Sequence, residues 1–133
     1  MISKTTISWL LRIVVAVIFI QTLYFKFTAH PDSVHIFSSL GLEPFGRIGL
    51  GVAELITSIL LLVPRTKITG LILSIGIISG AIFSHFLVIG TNVEGDGGIL
   101  FCLALIILSA CIGLLFIHKE EILGMIKKLQ KSK

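Results

Sequence analysis

The stretch GILFCLALIILSACIGLLFIH (98–118) contains no Asp, Glu, Lys or Arg, and this uninterrupted apolar run decides the class of fold. The hydrocarbon core of a bilayer is about 30 Å thick, so one helical crossing needs roughly 20 apolar residues. Three further segments come close to that length and composition: 7–27, 47–63 and 67–90. The sequence therefore predicts an all-α membrane protein, a bundle of four transmembrane helices.

The overall composition agrees with a membrane-integral chain. Of the 133 residues, 55% are hydrophobic and 14% are charged, whereas soluble domains average about 25% charged residues. The mean hydropathy is +1.07. A chain of this length fits one domain, and we predict a single membrane domain over residues 1–133.

The lysines and arginines are distributed unequally between the two sides of the predicted bundle. Only Lys26 and Arg47 fall on one side, and the other nine fall on the opposite side: Lys4, Arg12, Arg65, Lys67, Lys119, Lys127, Lys128, Lys131 and Lys133. Cytoplasmic loops of membrane proteins carry the excess of basic residues, so both termini are predicted to be cytoplasmic. The net charge of +4 favours contact with anionic lipid headgroups and not with nucleic acid.

Two segments outside the spans have helical patterns of their own. The basic tail 119–133 places Ile122, Met125, Ile126 and Leu129 on one apolar face, which suits a helix in the membrane interface; a frayed, solvated tail is the alternative. In the first outer connection, 29–46, Asp32 and Ser33 are suited to cap a short interfacial helix. Its apolar side would carry Val34, Phe37 and Leu40, and we expect it to lie across the outer mouth of the bundle.

Polar residues on three of the predicted helices share one depth. At 1.5 Å per residue, His85 lies roughly 7 Å, Gln21 roughly 9 Å and Glu54 roughly 10 Å inside the outer ends of their helices. Lys26 lies nearer the surface, and its long side chain is able to extend to the interface. We therefore take Glu54, His85, Lys26 and Gln21 as candidates for ligand binding or proton exchange, in a pocket in the outer half of the bundle. The deepest charge of the inner half, Arg12, is expected to extend to the headgroups.

Glu54 is too short to reach the interface, so it must be protonated, paired with Lys26 or His85, or directed into a wet cavity. We expect Glu54 and His85 to bond directly or through one water. Perturbed acids collect at functional sites, but structural ion pairs produce the same pattern. A ligand or redox pocket and a purely structural polar pair both stay open.

Two secondary candidates lie close to this layer. Asp96 is placed to cap the fourth span, and a functional role is the alternative to this capping role. Cys102 lies near the polar level, although small cysteines also serve as packing residues. Small residues at a spacing of four permit close helix approach, and the second and third spans carry such stripes: Gly49, Ala53 and Thr57, and Gly76, Gly80 and Ser84.

The sequence lacks the patterns of several cofactor chemistries. No C-x-x-C is present, and Cys102 and Cys111 are too far apart along one helix to form a disulfide. His85 is the one histidine placed inside a span, so a haem with two facing histidines is not supported. Neither H-x-x-x-H nor H-E-x-x-H occurs, and we predict no metal site.

The order and spacing of four features resemble a known family. Lys26 closes the first span, and GVAELITSILLLVPRT (51–66), GAIFSHFLVIG (80–90) and DGGILFCLAL (96–105) follow. Together they are similar to the DoxX-like family of small four-helix membrane proteins, over most of the chain from about Arg12 to Phe116. Lys26, Glu54 and His85 match polar positions typical of that family.

The resemblance implies a multi-pass protein of the bacterial cytoplasmic (inner) membrane and suggests an oxidoreductase subunit linked to redox chemistry or quinone. In that case an isoprenoid quinone would enter between helices, near His85 and Glu54, and a partner redox subunit is implied. The alternative is a non-catalytic membrane protein that binds a lipid or small hydrophobic ligand, or anchors a partner protein. The sequence leaves open whether the chain is an enzyme and whether it forms a homo-oligomer.

Overall fold

The computed structural model describes residues 2–133. Within this range the chain forms helices and no strand, which confirms the all-α prediction. Six α-helices are present, and a π-helical turn continues the fourth: α1 (Lys4–Phe27), α2 (Pro31–Ser39), α3 (Phe45–Leu62), α4 (Lys67–Ser84), the π turn (His85–Ile89), α5 (Ile99–Ile117) and α6 (Lys119–Lys131).

Four helical segments are long and apolar enough to cross a membrane: α1, α3, α4 with its π turn, and α5. They agree with the predicted spans to within a few residues at each end and confirm the four-transmembrane-helix bundle. They pack as a ring in which α1 contacts α3 and α5, and α4 contacts α3 and α5. The cytoplasmic position of the termini stays a prediction.

The centre of the ring and its outer surface are both apolar. Val15, Phe19, Leu71 and Leu114 are among the buried core residues, while many large apolar side chains, Phe116 for example, point outward. An outward apolar belt would be a liability for a monomer in water. In a bilayer it is the lipid-facing surface, so burial in the centre comes from close packing and not from exclusion of water.

Arginines connect α1 and α3 at both ends. Arg12 of α1 donates from Nη1 to the Leu61 carbonyl, 2.9 Å away in the last turn of α3. Arg47, in the first turn of α3, donates from Nη1 to the Lys26 carbonyl in the last turn of α1. The last carbonyls of a helix lack intrahelical partners, so each arginine caps the neighbouring helix. The expectation that Arg12 extends to the headgroups is therefore wrong: its side chain is held inside the bundle.

Close helix contacts occur at glycines other than the predicted stripes. A Cβ added to Gly70 would lie 2.7 Å from the Leu61 backbone nitrogen, and one added to Gly51 would lie 2.8 Å from the Phe27 ring. The same atom on Gly49, Gly76 or Gly80 would meet nothing within 4 Å. The packing interpretation of these three glycines is therefore wrong, because the faces that carry them do not meet a neighbouring helix.

The two shorter helices lie at opposite ends of the bundle. At one end, here named the α2 end, α2 contacts α1, α3 and the π turn, as expected for a helix across the mouth. Its N-terminal cap is His30, whose Nδ1 accepts the Asp32 N–H at 3.3 Å, so the capping role given to Asp32 and Ser33 is wrong. At the other end, the α6 end, Ile122 packs against the core and Met125, Ile126 and Leu129 are exposed.

Candidate functional site

A cavity of about 540 Å³ lies near the α2 end of the bundle. Its lining is mostly apolar, with Phe19, Phe37 and Ile78 from three different helices among the contributors. A few polar side chains interrupt this lining: Gln21, Thr22, Lys26, Asp32, Ser33, Glu54, Ser84, His85 and Asp96. Small-molecule sites commonly have volumes of about 300–1,000 Å³ and this mixture of apolar walls with few polar groups.

An ion pair crosses from α1 to α3 on the cavity wall. Lys26 Nζ lies 2.9 Å from Glu54 Oε2, and both side chains are about nine-tenths buried, at 11% and 7% exposure. Thr22 Oγ1 lies 3.1 Å from the same carboxylate oxygen and 3.1 Å from Lys26 Nζ. The attraction between the two charges offsets part of the cost of placing them in the membrane. Glu54 is thus paired with Lys26, which is one of the three states that the sequence allowed for it.

The pair leaves hydrogen-bonding capacity unused. Glu54 Oε1 makes no hydrogen bond to any residue from 2 to 133, since both contacts use Oε2. An ammonium group has three N–H donors, and Lys26 Nζ uses two of them, toward Thr22 and Glu54. Lys26 does not extend to the interface as expected, because the Glu54 carboxylate holds its ammonium group inside. One donor and one acceptor atom are therefore free beside the cavity.

His85 lies in the π turn and is 6% exposed. Its Nδ1 is 2.7 Å from the Gly90 carbonyl oxygen, and its ring packs edge-to-face on Phe101 with centroids 5.4 Å apart. A carbonyl oxygen only accepts, so Nδ1 carries a proton and, in the neutral ring, Nε2 has a free lone pair. π-Helical turns occur frequently at functional sites. Here the turn places His85 on the cavity wall with Nε2 unpaired among the described residues.

The predicted direct bond between Glu54 and His85 is not present. Both residues line the cavity, but Glu54 pairs with Lys26 and His85 with Gly90. The reason is geometric: Lys26 is one helical turn from Thr22 on the face of α1 toward α3, whereas His85 bonds within its own turn. A bridging water between Glu54 and His85 stays a prediction.

Asp96 closes the loop that leads into α5. Its Oδ1 accepts the N–H groups of Val93 and Gly98 at 3.0 and 2.8 Å, and Oδ2 accepts that of Leu100 at 3.0 Å. The Asp96 side chain thus caps α5 through the Leu100 N–H, as predicted, from two residues before the N-cap residue Gly98, and it also lines the cavity. Partial burial raises the pKa of Asp96, but the three backbone hydrogen bonds outweigh this effect and hold the pKa below its ordinary value.

Replacing Asp96 should test this cap. We expect Asp96→Ala to lower the free energy of unfolding by about 0.5–2 kcal/mol, the usual effect of losing an N-terminal cap. Asp96→Asn should cost less, because one side-chain oxygen remains to accept. The measurement is the midpoint of unfolding in sodium dodecyl sulfate, followed by the fluorescence of Trp9, the single tryptophan.

The lowered pKa of Asp96 also determines the direction in which the stability of the protein changes with pH. The contribution of Asp96 is complete above the unfolded pKa of about 3.9 and is lost as the pH falls through the lower, folded-state pKa. The Asn variant should lack this dependence below about pH 4. An identical acid profile for the wild type and Asp96→Asn would contradict the assignment.

The other candidates have different positions. Gln21 lines the cavity but is exposed, and it makes no side-chain hydrogen bond in the described part of the chain. Cys102 is exposed and does not line the cavity. The α5 face toward the cavity carries residues 99, 100, 103, 104 and 107, and position 102 is rotated away from it. Cys102 is therefore removed from the candidates.

Two features of the site were not predicted from the sequence. Thr22 bonds both members of the ion pair; its spacing of four residues from Lys26 could have indicated this, since such residues are neighbours on a helix. The second is the role of Gly76 and Gly80, which line the cavity. No sequence signal separates a glycine that permits packing from one that leaves space.

Comparison with known proteins gives one match. A family model described as the DoxX-like family matches residues 10–112. These residues include the four spans up to Ile112 of α5 and all the cavity-lining side chains described above. Neither the curated proteins nor the solved structures gave a match.

Proposed function

This chain is a member of the DoxX-like family, and on that premise we propose that its cavity binds an isoprenoid quinone as part of a redox-linked membrane protein. The observation that carries the proposal is a combination in the lining of one apolar cavity: the Lys26–Glu54 ion pair on α1 and α3, and the free Nε2 of His85 on the π turn that continues α4. A quinone has the matching chemistry, since an apolar chain carries a head with two carbonyl oxygens.

The cavity residues divide the binding into two parts. The apolar walls, which include Phe37, Ile78 and Leu103, suit the ring and the first isoprenoid units. The free N–H of Lys26 is a donor for a carbonyl oxygen, and His85 Nε2 is an acceptor for a hydroxyl. A site with a donor and an acceptor in apolar surroundings fits both the oxidised and the reduced head.

When bound, a quinone supplies two-electron, two-proton redox chemistry. The chain's part would be to hold the head and exchange protons, at His85 Nε2 and at Glu54 Oε1. The electrons would come from a partner redox subunit in the same membrane. The proposal also places the protein in a bacterial cytoplasmic membrane, with both termini on the cytoplasmic side, and assigns it a homo-oligomeric state.

One observation favours a second function. Lys26 and Glu54 pair their charges at 2.9 Å, so a structural role accounts for the pair without proton exchange. In that case the cavity would hold a lipid or another small hydrophobic ligand, and the protein would be non-catalytic. The two functions differ in the molecule that occupies the cavity.

Filling the cavity should test both. A leucine at Gly80 would project into the cavity, because a Cβ there meets no atom within 4 Å and Gly80 lines the space. We expect Gly80→Leu to weaken the binding of a short-chain ubiquinone by at least about tenfold, roughly 1.4 kcal/mol. Binding is measured in neutral detergent with purified full-length protein, and folding by the unfolding midpoint in sodium dodecyl sulfate.

Gly49→Leu is the matched control. Gly49 is also an exposed helical glycine with no atom within 4 Å of its Cβ position, but it does not line the cavity. Unchanged quinone affinity in Gly80→Leu, or equal losses in both variants, would refute the cavity as the binding site. Mass spectrometry of co-purified molecules separates the two functions: quinone supports the first, whereas a phospholipid displaced by Gly80→Leu without quinone supports the second.

A further inference from the structure

A second cavity, of about 320 Å³, lies at the α6 end of the bundle. It is bounded by the first two turns of α1, the turn before α4 and the junction between α5 and α6. Its charged and titratable lining residues are Lys4, Arg12, Lys67, His118 and Glu121. None of them belongs to the cavity at the α2 end.

The lining carries an excess of positive charge. Three cations, Lys4, Arg12 and Lys67, face one carboxylate, Glu121, and leave a net charge of +2 when His118 is neutral. Burial and the neighbouring Lys67 and Arg12 lower the pKa of His118, and the opposing effect of Glu121 is smaller. His118 is therefore neutral at pH 7, and the cavity attracts anions.

The carboxylate is already in use. Glu121 Oε2 lies 3.2 Å from Lys67 Nζ and 3.2 Å from His118 Nδ1. The other ring nitrogen of His118, Nε2, lies 2.7 Å from Ser8 Oγ. Lys4 makes no ion pair with the residues that the structure describes. Arg12 likewise has no carboxylate within reach, although it is 4% exposed.

Arg12 has a buried donor that nothing satisfies. Its Nη1 donates to the Leu61 carbonyl, and its guanidinium carbon lies 3.9 Å from the centroid of the Trp9 ring. Across residues 2–133, Arg12 Nε is the one buried side-chain nitrogen or oxygen without a hydrogen-bond partner. An unsatisfied buried donor is destabilising and rare in folded proteins, so this donor indicates an acceptor that the protein alone does not provide.

We propose that this cavity binds a phosphate group, held by Arg12, Lys4 and Lys67. Phosphate oxygens match the planar guanidinium donors of an arginine and the point charge of a lysine. The position favours a phospholipid headgroup as the source. The cavity adjoins α6, whose exposed Met125, Ile126 and Leu129 suit insertion among headgroups. Free phosphate has the same chemistry, and a binding experiment distinguishes the two sources.

The test uses purified full-length protein in neutral detergent and phosphate-free buffer. Binding is measured calorimetrically for three probes: dioctanoyl phosphatidylglycerol, dioctanoylglycerol, which lacks the phosphate, and inorganic phosphate. We expect saturable binding of the phosphatidylglycerol and none of the dioctanoylglycerol. Binding of inorganic phosphate but not of the lipid would support the phosphate site and would show that its ligand is soluble phosphate and not a lipid headgroup. No saturable binding of either phosphate probe overturns the proposal.

Charge-neutral variants locate the site. Lys4→Gln and Lys67→Gln should each weaken phosphatidylglycerol binding by about tenfold, about 1.4 kcal/mol, since each removes a charged donor to the phosphate. The loss should be larger for Lys67→Gln, because it also frees Glu121 to repel the anion. Lys127→Gln and Lys128→Gln make the same charge change on α6 outside the cavity lining and should have little effect.

Two results of the variant series would overturn the assignment. One is equal weakening by the cavity and the α6 variants, which would indicate attraction by overall charge alone. The other is unchanged binding in Lys4→Gln. Lys4 makes no ion pair in the described structure and is exposed, so this variant is informative even where Lys67→Gln does not fold. The unfolding midpoint is recorded for each variant.

Discussion

Replacing Lys26 by methionine is expected to lower the free energy of unfolding by about 3–5 kcal/mol. The reason is that the Glu54 carboxyl group, 5% exposed, would lose the ammonium group 2.9 Å away and would either stay as an unpaired charge inside the membrane or take up a proton, each at a cost in free energy. Removing one partner of a buried pair typically has an effect of this size. The measurement is the unfolding midpoint in sodium dodecyl sulfate, with Trp9 fluorescence as the signal.

The double variant Lys26→Met/Glu54→Leu is the matched control. Replacing a buried ion pair by apolar residues is often neutral or stabilising, so the double variant should recover most of the loss. Glu54→Gln alone should be milder than Lys26→Met, because the ammonium group that it leaves unpaired is on a long side chain able to extend to the interface, whereas the carboxylate of Glu54 is on a short one. Wild-type stability in Lys26→Met would show that the pair contributes nothing. Equal losses in the single and double variants would assign the effect to packing.

The second large effect is expected at Gly70. Gly70→Ala should lower the free energy of unfolding by about 1–3 kcal/mol, the range for overpacking a tight contact. The added methyl group would lie 2.7 Å from the backbone nitrogen of Leu61 and 3.0 Å from the carbonyl carbon of Leu60. Backbone atoms within a helix cannot move individually, so α3 and α4 would have to separate.

Gly76→Ala, on the same helix, is the control for Gly70→Ala. Its Cβ position has no atom within 4 Å, and alanine is a better helix former than glycine by about 0.8–1.0 kcal/mol. We therefore expect Gly76→Ala to be neutral or slightly stabilising. Thermal and detergent unfolding of the two variants, measured side by side, give the comparison. Gly70→Ala with stability at or above that of Gly76→Ala would contradict the packing assignment.

The fold was predictable because it depends on the length and composition of apolar runs. The run 98–118 has no charged residue, and the other three spans have few. A bilayer of fixed thickness converts such runs directly into helices that cross it. The structure accordingly has its long helices within a few residues of the predicted spans.

The composition of the polar layer was predictable, but its partners were not. Depth along a helix follows from 1.5 Å per residue, which places Glu54, His85 and Gln21 at similar levels, with Lys26 nearer the surface. The choice of partner depends on how each helix is rotated about its own axis. The actual rotation pairs Glu54 with Lys26 and leaves His85 bonded to Gly90. The π turn at His85, which a regular helical count does not include, also changes that rotation.

The roles of the glycines and arginines depend on contacts between helices that are distant in sequence. Gly70 meets Leu61, and Gly80 borders open space, although both are glycines on the same apolar helix. Arg12 has a long, charged side chain of the kind that extends to the interface, yet it donates to the Leu61 carbonyl and caps α3. Neither outcome follows from spacing along one helix, because the neighbouring helix decides it.

The reciprocal arginine caps fix the register of α1 against α3. Arg12 and Arg47 hold the two ends of the antiparallel α1–α3 pair, so an axial slip of one turn, about 5.4 Å, would break both caps at once. In the described residues, side-chain hydrogen bonds join α4 and α5 to this pair only at the α6 end, where Thr66 Oγ1 donates to the Leu60 carbonyl and Ser8 Oγ lies 2.7 Å from His118 Nε2. If the cavity binds a ligand as proposed, we therefore expect the wall that carries Lys26 and Glu54 to keep its register, and any change in cavity volume to come from the α2 end of α4 and α5.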